Sequence, residues 1–100
     1  MNISNKDHIN IQGSKITVIG FGRSGEGAAR LGHYLGASVF ISDGGSTNAM
    51  VERTKELEAI GIQIEIGGHT EEIYNTELWV LSPGIAQDAE IVLNAKARKI

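Results

Sequence analysis

Cysteine is absent from the 100 residues, which excludes disulfides, thiolate nucleophiles and zinc sites built on sulfur. A single proline and only five aromatic side chains (one Trp, two Tyr, two Phe) leave the core to aliphatic residues. No apolar run approaches the length of a membrane span, and the polar opening Met1-Asn2-Ile3-Ser4-Asn5-Lys6-Asp7 has no signal-peptide centre, so a cytoplasmic protein is expected. Basic surplus is missing too: the net charge is −3 with no run of Lys or Arg, which counts against nucleic acid as the main partner. No G-x-x-x-x-G-K-[ST] phosphate loop and no nucleophile–base pair occur, so this segment is expected to bind rather than catalyse. His8, His33 and His69 lack metal-ligand spacing; solvent-facing or capping roles are expected of them, and no metal site is assigned.

What remains is an ordinary globular composition, 41% apolar and 21% charged, in a length that supports one core and not two lobes. Residues 1–13 read as a polar lead-in, touching the sheet edge through Ile9 and Ile11, and 14–100 as the domain proper. From Lys15 short β-rich runs alternate with helical patterns, the signature of parallel βαβ units. Strands are predicted at 15–20, 38–42, 62–66 and 78–81. The first and last are continuously apolar and therefore central, whereas Ile62-Gln63-Ile64-Glu65-Ile66 alternates as an edge strand does. Helices are predicted at 24–35, with Ala28, Leu31 and Leu35 inward, at 48–60, with Met50, Leu57 and Ile60 inward, and at 88–98, capped by Asp88 with Ile91, Val92 and Ala95 inward. Gly36 and Gly61 supply helix stops, and a short helical turn is expected at 70–73. The expected fold is α/β: a Rossmann-like parallel sheet with helices on both faces and strand order 3-2-1-4. Ile100 reads as the start of a fifth strand that is not completed, so a truncated domain is expected.

Three loops then open on the carboxyl edge of that sheet. Gly20-Phe21-Gly22-Arg23-Ser24-Gly25 is a G-x-G-x-x-G between a buried strand and a helix, where backbone N–H groups at a helix start can hold a diphosphate. Gly20 permits the tight turn, Gly22 lets a phosphate approach, and Gly25 allows close helix–strand packing. Arg23 can pair with a diphosphate and Ser24 can cap the helix while donating to phosphate, or both can be solvated. Asp43, 23 residues after Gly20, suits a ribose hydroxyl or a base N–H, or simply opens the turn before Gly44-Gly45. Ser82-Pro83-Gly84 is either a third ligand loop or a strand terminator.

Taken together, Val18-Ile19-Gly20-Phe21-Gly22-Arg23-Ser24-Gly25, Ile41-Ser42-Asp43 and Leu81-Ser82-Pro83-Gly84-Ile85 resemble the N-terminal domain of the Mur ligases, above all the D-glutamate-adding branch. The resemblance runs from Gly13 to Ile100. It implies a cytoplasmic peptidoglycan-synthesis enzyme of three domains, in which ATP phosphorylates a substrate carboxyl and D-glutamate displaces the phosphate. The first domain would hold the UDP part of UDP-N-acetylmuramoyl-L-alanine. By position, Gly22, Arg23, Ser24 and Gly25 would face the diphosphate, Asp43, Gly44 and Gly45 the uracil, and Ser82, Pro83 and Gly84 the adjoining substrate. The ATP loop, the magnesium ligands and the amino-acid site would lie beyond Ile100, leaving no cofactor in this segment and no activity for it alone. In place of the larger polar or basic residue the family often carries after the acid, this chain has Gly44-Gly45. On residues alone, an NAD-binding dehydrogenase or regulatory domain also stays open, as does a ligand-free interaction domain.

Overall fold

The computed structural model describes residues 11–82 and 89–100. Along them run β1 (Lys15–Ile19), α1 (Arg23–Tyr34), β2 (Ser38–Asp43), α2 (Asn48–Ala59), β3 (Gln63–Ile66), a 3-10 turn (Glu71–Tyr74), β4 (Leu78–Leu81) and α3 (Glu90–Ala97). Every strand pair is parallel and the sheet order is β3-β2-β1-β4, as expected. Hydrophobic cover explains the order. Ile16 to Ile19 of β1 are all buried, so that strand must be covered on both faces, whereas the polar Gln63 and Glu65 of β3 suit an edge. β4, expected to be central, is the outermost described strand on its side and its side chains are at most half-buried.

Right-handed crossovers carry α1 and α2 over one face, and the return from β3 to β4 leaves the 3-10 turn on the other. On the first face Ile16 and Val39 lie under Gly32, and Val18 lies under Gly25. The core there is Ile16, Val18, Phe21, Ala29, Val39, Ile41, Leu57 and Ile62, with Ile11 and Met50 packed against it. On the second face the Trp79 indole donates to the Ile73 carbonyl (2.6 Å) and stacks on Tyr74. α3 joins that layer: Asn94 donates to the Tyr74 hydroxyl (3.3 Å) and the Arg98 guanidinium lies 4.1 Å from the Tyr74 ring centre.

The inward stripe of α1 differs from the expected one. Gly25, Ala29 and Gly32 are buried, while Leu31 and Leu35 are 59% and 47% exposed. The buried residues keep helical spacing, but small side chains were selected because the helix lies against the sheet. A Cβ on Gly25 would collide with the Gly20 carbonyl oxygen, and one on Gly32 would come within 3.3 Å of Val39. Ser24, expected as a cap, is inside the first turn; the N-cap is Gly22, with no side-chain hydrogen bond. In α2 Leu57 is buried and Met50 half-buried, but Ile60 caps the helix end and is exposed. α3 buries Val92 and Ala95 and half-buries Ile91, starting after Ala89; Asp88, its expected cap, lies outside the described residues. No helix among the described residues is long and apolar enough to cross a membrane.

Candidate functional site

Parallel strands bring their carboxyl ends to one edge, and there the three expected loops meet. Gly20 donates its N–H to the Ser42 carbonyl (2.9 Å), and Ser82 donates to the Ile19 carbonyl (3.0 Å). Gly20 has φ +103°, and a Cβ there would stand 2.6 Å from that of Ser82, so both the turn and the contact demand glycine. Pro83 and Gly84 lie outside the described residues. Gly22 is different: its φ of −82° suits any residue, it is exposed, and a Cβ would meet nothing within 4 Å among the described residues. No described neighbour requires glycine there. Glu26 N–H to Gly22 C=O is the first bond of α1, so the amides of Arg23 and Ser24 precede the helical ladder, at an exposed start with no side-chain cap among the described residues.

Asp43 reaches across to this loop. Its Oδ2 accepts from the Phe21 N–H (2.7 Å) and its Oδ1 from the Gly45 N–H (2.8 Å), so it joins the first loop to the second while each oxygen keeps a lone pair. Arg53, which sequence reasoning missed, holds the other side of the same peptide. Its Nη1 donates to the Phe21 carbonyl (2.9 Å), its Nε and Nη2 donate to Glu26 Oε1 (2.9 and 2.7 Å), and its guanidinium lies 4.2 Å from the Phe21 ring centre. The Arg53 bond, then the Arg30 bond at 3.0 Å, outweigh desolvation and hold the Glu26 carboxyl below its ordinary range. Arg23, Glu26, Arg30 and Arg53 together line a shallow depression with more positive than negative charge. A second depression, bounded by Lys15, Phe40 and Glu72, lies at the opposite, amino edge of the sheet.

A polar group under the second loop was also missed. The fully buried Ser42 hydroxyl donates to Glu65 Oε2 (2.7 Å), its cross-strand neighbour, and lies 2.7 Å from His69 Nδ1. Glu65 accepts further bonds from the Thr70 N–H (3.0 Å) and hydroxyl (2.7 Å). Burial opposes the charge on Glu65, but the Ser42 and Thr70 bonds and the nearby His69 prevail and hold its carboxyl below the ordinary range. Serine, histidine and glutamate here do not form a nucleophilic triad: the serine stands between the other two and is inaccessible. The segment is sewn to the second loop, with Gly67 N–H donating to Gly45 C=O (2.8 Å) and Gly68 N–H to Asp43 C=O (3.4 Å). Only the strand register brings Ser42, Glu65 and His69 together, so spacing along the chain carried no signal of it.

A family model described as the MurD N-terminal domain matches residues 15–91, most of the chain. The chain belongs to the MurD N-terminal domain family. Among curated relatives, a UDP-N-acetylmuramoylalanine--D-glutamate ligase of Chlorobium chlorochromatii is 40% identical over 92 residues, covering 92% of this chain and 19% of the relative. Proteins of the same name from Elusimicrobium minutum and Salinibacter ruber are 39% and 37% identical over 89% and 85% of this chain, and 19% and 18% of their own lengths. The chain thus spans about a fifth of the MurD-type ligases it matches. In fold it is similar to the A chain of dipicolinate synthase from Bacillus subtilis, with a TM-score of 0.66 at 24% identity over 87% of this chain and 28% of that one. That likeness places it among Rossmann-like α/β domains.

Proposed function

We propose that this MurD-type domain holds the uridine diphosphate end of UDP-N-acetylmuramoyl-L-alanine for an ATP-dependent, D-glutamate-adding ligase whose ATP, magnesium and amino-acid sites are in other parts of the protein. The observation that carries the proposal is the exposed helix start at Gly22, Arg23 and Ser24, set between Asp43 and Ser82, in a chain of this family. Two amides ahead of the helical ladder, the helix dipole and a glycine that no described neighbour requires suit a diphosphate. The Asp43-Gly44-Gly45 loop would take the uracil, and the strand end at Ser82, continuing into Pro83 and Gly84, would meet the next part of the substrate. Ser24 contributes its backbone here and not a side-chain cap.

Isothermal titration of the chain with UDP-N-acetylmuramoyl-L-alanine, UDP and NAD tests this. Saturable binding of both uridine nucleotides, with NAD weaker, is expected. Saturable NAD binding with no response to either uridine nucleotide overturns the proposal in favour of a dinucleotide domain.

A further inference from the structure

We infer that His69 reads the base: its Nε2 accepts the imide N3–H of a uracil seated on the Asp43-Gly44-Gly45 loop. The inference rests on the uridine diphosphate reading above and adds to it the residue that tells uracil from cytosine.

Placement comes first. The hydrogen bonds from Gly67 and Gly68 fix the backbone leading into His69 along the second loop. The His69 Nε2 lies 3.9 Å from the position that a Cβ of Gly44 would occupy, so the imidazole flanks that loop directly. His69 is exposed, and with glycine at 44 and 45 neither position places a side chain over the ring. On its far side the ring is anchored by Ser42, which has no exposed surface. One nitrogen is tied into the fold, and the other makes no hydrogen bond among the described residues.

Proton counting then settles what that nitrogen offers. The Ser42 hydroxyl has one proton, and it lies 2.7 Å from both a carboxylate oxygen and His69 Nδ1. Glu65 is ionised and can only accept, so the serine proton goes to Glu65. The Ser42 oxygen must therefore accept from His69, which places the imidazole proton on Nδ1. In the neutral ring Nε2 is then bare, an acceptor aimed past Gly44. Uracil offers a donor at N3, cytosine a lone pair, and only the first complements such an acceptor. A site that bonds a donor disfavours an analogue that lacks it, because the acceptor, once covered by the bound base, is left unpaired. The two glycines after Asp43 thus open the space that the imidazole serves.

Two measurements test this. Nitrogen-15 spectra of the imidazole in the unliganded chain at about pH 8, where histidine is ordinarily neutral, should show the proton on Nδ1; a proton on Nε2 overturns the inference whatever the chain binds. Titrations with UDP, CDP and N3-methyl-UDP should show UDP bound about tenfold more tightly than the other two. His69→Asn keeps a donor to Ser42 but loses Nε2; it should bind UDP about tenfold more weakly and no longer distinguish the three. His69→Gln, whose carbonyl reaches the Nε2 position, should recover part of the preference. Equal binding of UDP and N3-methyl-UDP by the unaltered chain, or full UDP affinity in His69→Asn, removes His69 from the site and leaves the diphosphate proposal standing. Failure of the unaltered chain to bind UDP at all overturns both.

Discussion

A Cβ on Gly25 would run into the Gly20 carbonyl, whereas one on Gly22 would meet none of the described residues. The same substitution therefore separates packing from binding. Gly25→Ala should cost roughly 1–3 kcal/mol or more in urea denaturation, because backbone must move to admit the methyl. Gly22→Ala should stay within about 1 kcal/mol of the parent, the loss of a favoured N-cap residue, yet bind UDP about tenfold more weakly. Equal affinity in Gly22→Ala would remove the diphosphate from that loop. Asp43 calls for the opposite contrast. Because both carboxylate oxygens accept backbone N–H bonds, Asp43→Asn turns an NH₂ toward one of those donors and should destabilise the fold by about 1–3 kcal/mol in addition to weakening UDP. A residue that served only the ligand would leave the urea midpoint unchanged.

Between elements, Glu26 of α1 and Arg53 of α2 form a half-exposed ion pair, and Glu65 of β3 is bonded to Ser42 of β2. Both carboxyls sit below their ordinary range in the fold, so the unfolded chain binds more protons than the folded one as acid is added. Their stabilisation is complete above the unfolded carboxyl value of about 4.3 and is lost as pH falls through the lower folded values. Urea midpoints should be flat above about pH 6 and drop from about pH 5 downward, and Glu26→Gln should show a shallower drop. An unaltered acid limb in Glu26→Gln would mean that Arg53 contributes nothing through this pair. These links show what spacing can and cannot convey. The existence of α1 was legible from its period, but that spacing points to Ala28, Leu31 and Leu35 as the inward stripe, when contact with a sheet at this distance selects Gly25, Ala29 and Gly32. The glycine loop and Asp43 were legible because local backbone geometry dictates them. Arg53 and His69 were not, because each reaches the site from a different βα unit and its role exists only after the strands pair.

For the whole molecule, strand order followed from which runs were apolar on both faces, and β4 ends the described sheet, as the expected order 3-2-1-4 with an uncompleted fifth strand has it. The chain spans about a fifth of its curated relatives. Supplied with UDP-N-acetylmuramoyl-L-alanine, D-glutamate, ATP and magnesium, it should bind the first and release no phosphate; phosphate release above a protein-free blank would show that catalytic groups had been overlooked in it. The two amide bonds from Gly67 and Gly68 to the second loop have a consequence for the sheet as a unit. β3 is short, lies at the edge and would ordinarily be the first strand to open to solvent. Because it is sewn to the loop proposed to carry the base, a ligand there can bind only molecules whose edge is closed, and it draws the population toward them. Amide hydrogen exchange at Gln63 to Gly68 should therefore slow when UDP is added, making a strand that need not touch the nucleotide the most sensitive reporter of its presence.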